Sequence, residues 1–252
     1  MNKKYWDSLS VDYKQQVLSV YDSDKQQILA SVLDNYIKVG GDVADFGCGI
    51  GGGIPLLAQR ARSVYALDLS GDLLKRAQSR NKKYKNVYYQ QCDLVNEYPD
   101  IPSVQCITNT NVLISPSDDV RRQILNAIWK SLKPKGVLVL VVPSLESHLW
   151  IYHNTFAKKY AKSGNKSTTR RSVNRIIDRE AKSLAEGIFK IPDTETKCYQ
   201  GHELDYFLSS NGFNVISRSE LPYPWKEELL RIVNPKIAKP WHWLVVARKN
   251  KK

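Results

Sequence analysis

A chain of 252 residues, 42% apolar and 25% charged, has a globular composition and can bury one substantial core, with or without a small lid. No window approaches roughly 18 uninterrupted apolar residues, so no membrane span is expected. The start, Met1-Asn2-Lys3-Lys4-Tyr5-Trp6-Asp7, has neither the apolar run nor the small-residue cleavage site of a secretory leader. The formal charge of +13 is regional, since residues 158–190 carry +7, residues 226–252 carry +6 and the remainder balances. Such regions suit nucleic acid, an anionic membrane surface or an acidic small molecule, and equally a plain solvated face.

From residue 5 to 38 the spacing of Val11, Val17, Leu18, Ile28, Leu29, Val32, Leu33 and Ile37 predicts helix, ended by Gly40-Gly41. Val43-Ala44-Asp45-Phe46 reads as a short buried strand, Gly47 to Gly53 as its exit loop, and Ile54-Pro55-Leu56-Leu57-Ala58 as a helix start. A second strand, Ser63 to Asp68, precedes a helix capped by Ser70. Strands follow at Asn86–Gln90 and Val104–Thr108, then a helix from Asp119 to Leu132. Val137 to Val142, apolar on both faces, fits a strand covered by helices on both sides. This alternation predicts an α/β fold with a mostly parallel sheet.

Residues 144–200 break the rhythm. Their length, with a helix expected over about 171–186, suggests a helical insert over the substrate side. A helix at His202–Ser210, a strand at Phe213–Ile216 and a last strand at Trp241–Ala247 complete the pattern. The expected divisions are an N-terminal helical cap (1–38), an α/β core (39–143), the insert or lid (144–200), and the rest of the core with a basic tail (201–252). Cys48, Cys92, Cys106 and Cys198 lie far apart with no CxxC pair, as reduced cytoplasmic thiols do, and metal-ligand spacing is absent.

Chemistry concentrates at Asp45-Phe46-Gly47-Cys48-Gly49-Ile50-Gly51-Gly52, between a strand and a helix, where glycines let backbone approach a ligand. The glycines alone fit either of two cofactors, because Gly47, Gly49 and Gly52 have GxGxxG spacing and Gly47, Gly49 and Gly51 have GxGxG spacing. Asp45 tilts the choice. A carboxylate two residues before the first glycine repels a pyrophosphate but suits a ligand with an amino group and a sulfonium. Asp68, at the next strand end, suits a ribose diol, and Asp93 an adenine amino group.

On these residues the chain resembles the class I S-adenosylmethionine-dependent methyltransferases, especially their bacterial small-molecule, ubiquinone/menaquinone-biosynthesis-like branch (methyltransferase type 11). Asp45 to Gly51 match the acidic-x-Gly-x-Gly-x-Gly loop, Asp68 the ribose acid, and Cys92-Asp93-Leu94 the adenine segment. Asn109-Thr110-Asn111-Val112-Leu113 match the segment after strand four, and Leu132 to Leu138 the turn into strand five. Gly53 is an extra glycine relative to that pattern. The resemblance implies a Rossmann-like, seven-stranded sheet with an antiparallel last strand. It also implies donor-binding roles for Asp45, Gly47, Cys48, Gly49, Gly51, Asp68, Leu69, Cys92, Asp93, Leu94 and Asn109.

Methyl transfer from S-adenosylmethionine, leaving S-adenosylhomocysteine, is mainly a matter of in-line orientation and water exclusion. It needs a base only when the acceptor must lose a proton. His153 and the adjacent Tyr152 in the insert are the catalytic candidates, with His153 preferred over His148, His202 and His242 as the base. Tyr5, Trp6, Tyr13, Trp150, Tyr152, Phe156 and Tyr199 are expected to include an aromatic wall for the acceptor. That acceptor is expected to be a small molecule, with RNA held by the basic insert as the alternative, and the enzyme a monomer or homodimer.

Overall fold

The computed structural model describes residues 6–7, 20–38, 40–191, 194–223 and 240–250. From Val20 onward the described elements are α1 (Val20–Ser23), α2 (Ile28–Tyr36), β1 (Asp42–Phe46), α3 (Ile54–Ala58), β2 (Ser63–Asp68), α4 (Gly71–Arg80), β3 (Val87–Gln91) and β4 (Val104–Thr110). Next come α5 (Asp118–Ser131), β5 (Leu132–Pro143), α6 (Leu145–Ser163), α7 (Lys166–Glu180), and the short strands β6 (Ala181–Ser183), β7 (Ile188–Lys190) and β8 (Glu195–Lys197). The chain closes with α8 (Gly201–Ser210), β9 (Phe213–Pro222) and β10 (Trp241–Lys249).

Seven strands form one sheet in the order β3-β2-β1-β4-β5-β10-β9, with β10 antiparallel to both neighbours and the remaining pairs parallel. This is the expected Rossmann-like sheet with an antiparallel last strand. Alternation along β5 shows why both faces are covered. Leu138, Leu140 and Val142 pack with Phe46, Leu67, Ile107 and the inner sides of α5 and α8. Val137, Val139 and Val141 pack on the other face with Val43, Val64 and residues Leu29 and Leu33 of α2. Strand order reverses between β1 and β4, so their carboxyl ends open the crevice where such sheets hold ligands.

Two local expectations are corrected. The helical run expected over residues 5–38 is interrupted within its described part. Asp24 accepts hydrogen bonds from the Ile28 and Leu29 amides, both at 2.8 Å, and so starts a new helix at Ile28. The helix expected over 171–186 instead begins at Lys166, because Asn165 caps it through the Thr168 amide (3.1 Å), and it ends at Glu180. Beyond it the chain forms the three-stranded sheet β6-β7-β8, whose three-residue strands are too short to announce a period. Ser70, Ser117 and Ser144 cap their helices in the same side-chain-to-amide manner.

Candidate active site

The donor-side loop leaves β1 by folding back on β2, where the Gly47 and Cys48 amides both donate to the Leu67 carbonyl (2.8 and 2.9 Å). Gly47, Gly49 and Gly51 all take positive φ. At Gly47 (φ +79°) a Cβ would also lie 2.1 Å from Cγ2 of Val112, in the segment leaving β4. Gly47→Ala therefore combines backbone strain with a clash, and about 2–4 kcal/mol of destabilisation is expected in a denaturant titration, with loss of donor binding. The extra glycine, Gly53, also has a structural cause. A Cβ there would sit 2.5 Å from the ring of Tyr21, which lies directly against the loop.

Asp45 and Asp68 stand at the adjacent carboxyl ends of β1 and β2 and are both buried. Asp68 accepts from the Gly49 amide through Oδ2 (2.8 Å) and from the Ser70 amide through Oδ1 (2.9 Å), which fixes its carboxylate at the loop. Burial raises its pKa, opposed by those same amides. Asp45 accepts from the Thr108 hydroxyl at 2.7 Å through Oδ1, while its buried Oδ2 has no partner among the described residues. Burial pushes the Asp45 carboxyl up to about 6, against the Thr108 hydrogen bond and with a smaller push from the Asp68 charge. Asp93 is half-buried and occupied by its own loop, accepting from the Val95 amide (3.0 Å) and the Asn96 side chain (2.8 Å). Leu69 and Leu94 are half-buried beside these turns. Cys92 is buried, with its amide on the Asp68 carbonyl, and Cys48 is buried within the loop itself.

Three contributors (Thr108, Tyr21 and Asp7) escaped sequence reading, and Asn111 joins them from the anticipated segment after β4. Thr108 holds Asp45 from β4. The Tyr21 hydroxyl shares a 3.2 Å hydrogen bond with Thr110, and burial, reinforced by Asp45, raises the phenol so that it stays neutral. Asn111, in the left-handed region at φ 55°, keeps a buried Oδ1 without a partner among the described residues. Asp7 accepts a 2.5 Å hydrogen bond from the Ser70 hydroxyl, bringing the N-terminal segment to the exit of β2. Asn109, which was anticipated, donates to the Phe46 carbonyl (3.0 Å), and its own buried Oδ1 is likewise without a partner among the described residues.

Residues 43–136 match the family model described as a methyltransferase domain. The match is to a methyltransferase domain and covers under half of this chain. Over 145 residues the chain is 29% identical to phosphoethanolamine N-methyltransferase 1 of Caenorhabditis elegans, covering 55% of this chain and 30% of that protein, so the match spans under a third of the relative. The magnesium protoporphyrin IX methyltransferase of Synechocystis PCC 6803, solved with bound S-adenosylhomocysteine, superposes with a TM-score of 0.62 at 16% identity over 98% of both chains. The 1,6-didemethyltoxoflavin-N1-methyltransferase of Burkholderia thailandensis gives a TM-score of 0.62 at 16% identity, covering 100% of this chain and 91% of that one. Both share the fold.

The crevice at the carboxyl ends of β1 and β4 fits an S-adenosylmethionine donor. Three buried oxygens without a partner among the described residues (Asp45 Oδ2, Asn109 Oδ1 and Asn111 Oδ1) belong to residues at or just beyond the carboxyl ends of β1 and β4. Acceptor-only oxygens beside an anionic carboxylate match an ammonium and a sulfonium, not a pyrophosphate.

Around the domain, the expected acceptor-side residues separate into two groups. Trp6 is half-buried near Asp7, and Trp150 is half-buried with its ring 6.4 Å from that of Trp241, which opens β10 beside the end of β5. Tyr199 instead lies in the main core, its hydroxyl donating to the Leu113 carbonyl at 2.6 Å. Tyr152 and Phe156 pack into the small core of the insert, the Tyr152 hydroxyl donating to Glu180 at 3.1 Å. Tyr5 and Tyr13 lie outside the described residues. His153 is exposed on α6, about 140° round the helix from the buried His148, and His202 is exposed on α8. His148 and His242 are both buried near the end of β5, and burial pushes each imidazole down to about 3.

Proposed function

We propose that the chain transfers a methyl group from S-adenosylmethionine to a small-molecule acceptor by in-line displacement. The bound donor supplies an electrophilic methyl on sulfur. The sulfur–carbon bond breaks with its electron pair left on sulfur as the acceptor's lone pair bonds the carbon. The single observation that carries the reading is the Asp45 carboxylate, buried at the glycine loop with one oxygen left unpartnered among the described residues.

In this reading Asp45, Gly47, Cys48, Gly49 and Gly51, with Asn109, hold the amino-acid end of the donor. Asp68 and Leu69 take the ribose, and Cys92, Asp93 and Leu94 border the adenine. Tyr21 covers the loop and excludes water, adding to orientation, which can contribute roughly 7–11 kcal/mol to such a transfer. The acceptor enters between the β4 exit and the insert at 144–200, which acts as its lid, with Trp6 and Trp150 as aromatic contacts. Where the acceptor must lose a proton, the exposed His153 of the insert is the candidate base. Porphyrin, toxoflavin and phosphoethanolamine substrates in the names of similar proteins support a small acceptor. The sequence resemblance points to the ubiquinone/menaquinone-like branch, and the four dispersed cysteines to a cytoplasmic enzyme.

The test is calorimetry against S-adenosylmethionine and NAD, followed by transfer of a labelled methyl group to a metabolite panel and to total RNA. Donor binding at least tenfold tighter than NAD, and label in a metabolite, is the expected result. Preference for NAD sinks the cofactor reading, and label in RNA alone sinks the small-acceptor reading.

A further inference from the structure

The helical hairpin α6–α7 carries a basic outer surface that the donor-side residues do not include. Between Lys158 and Arg179 there are eight Lys or Arg residues against one acid, Asp178, a net +7. On α7 the buried residues Thr169 and Val173 face the insert, with Ile176 and Ile177 packed behind them. Arg171, Arg175 and Arg179 recur every fourth residue on the opposite, exposed side, about 6 Å apart along the axis. Arg179 pairs with Glu180, whereas Arg170, Arg171 and Arg175 have no ion-pair partner among the described residues. A convex, solvated ridge of this length does not enclose a small anion; it matches an extended anionic surface.

Apolar exposure in the same insert decides which surface. Leu149 on α6 is 45% exposed, Tyr160 near the hairpin tip 43%, and Leu184 in the β6–β7 turn 43%. Phosphate contacts to nucleic acid gain nothing from exposed leucines, whereas a bilayer accepts aliphatic and tyrosyl side chains beside its charged headgroups. No described helix is long and apolar enough to cross a membrane, so the contact is peripheral.

We propose that the α6–α7 hairpin and the β6–β7 turn dock this protein on an anionic phospholipid surface. The docking is independent of which acceptor is methylated, so its test reads binding alone. The full chain is sedimented with vesicles of phosphatidylcholine, alone or mixed with phosphatidylserine, across a salt series. Binding to the mixed vesicles that weakens with salt is expected. Arg171→Ala with Arg175→Ala should lower it about 25-fold, roughly fivefold for each charge removed, and the paired Arg→Lys changes should preserve it. Leu149→Ser with Leu184→Ser should reduce the binding that survives high salt. All four side chains are exposed, and an unchanged circular dichroism spectrum checks the fold. Equal sedimentation with both vesicle types, or full binding by the double alanine variant, overturns the proposal. So does an RNA oligonucleotide bound more tightly than the mixed vesicles.

Discussion

Asp45→Asn is expected to weaken donor binding on the order of 100-fold while making the ligand-free protein more stable at pH 7. The two effects share one cause. Asp45 is 2% exposed, and burial holds its carboxyl near 6 against 3.8 for the free group. A folded-state pKa above the unfolded one means the native state binds more protons between those values. Stability therefore falls as pH rises from about 4 to about 6 and stays reduced above, by about 3 kcal/mol for one such carboxyl. Asparagine removes the charge but keeps an oxygen for the Thr108 hydroxyl, so a gain of about 1–2 kcal/mol at pH 7 is expected, a rise of roughly 2–8 °C in Tm. The same substitution deprives a cationic donor of its charged acceptor, worth about 1.5–3 kcal/mol. In the parent protein, donor affinity should be level above pH 6 and fall by up to tenfold per pH unit below it. Calorimetry from pH 5 to 8 with thermal melts of both proteins checks this. An Asp45→Asn variant that melts lower at pH 7 and binds the donor unchanged would contradict both halves.

Asp68→Ala is expected to lower donor affinity by two to three orders of magnitude and, unlike the change at Asp45, to lower stability as well. Both Asp68 oxygens are engaged by backbone amides, Gly49 in the loop and Ser70 at the cap of α4. Removing them strands two buried N–H groups, each costing about 1–3 kcal/mol, and frees the glycine loop to lose its shape. The Ser70 anchor also meets Asp7, so the N-terminal segment should loosen with it. Hydrogen exchange at residues 47–53 should quicken and Tm should fall, while Asp68→Asn, retaining one acceptor, should lie between. Opposite signs in the two melting experiments separate these roles from general disruption of the crevice. Donor affinity unaltered by Asp68→Ala would remove Asp68 from the ribose site.

Much of this was local and therefore legible. The switch from strand to glycine loop to helix at 43–58 depends on neighbours in sequence, as do the Ser70 cap and the acids at successive strand ends. The doubly apolar run at 137–142 announces a central strand because alternate residues must both be covered. The insert was less legible. The start of α7 turns on a single asparagine side chain, and β6-β7-β8 are three-residue strands too short to give a period. Among the aromatics, residue type could not distinguish Tyr199, whose ring fills the main core, from Trp150 on α6, which meets Trp241, since burial depends on which elements pack against each.

The amino-acid sequence by itself determined the α/β alternation, the phosphate-averse glycine loop and the three acids, because each follows from residue type and short-range spacing. Only the tertiary structure decided which of their oxygens stay free. Thr108 reaches Asp45 across 63 residues and Tyr21 reaches Thr110 across 89, and such meetings depend on sheet register and helix packing. Asp68 and Asp93 differ from Asp45 in that each has both oxygens engaged by local hydrogen bonds, which fix the carboxylate and leave its second lone pairs for a ligand.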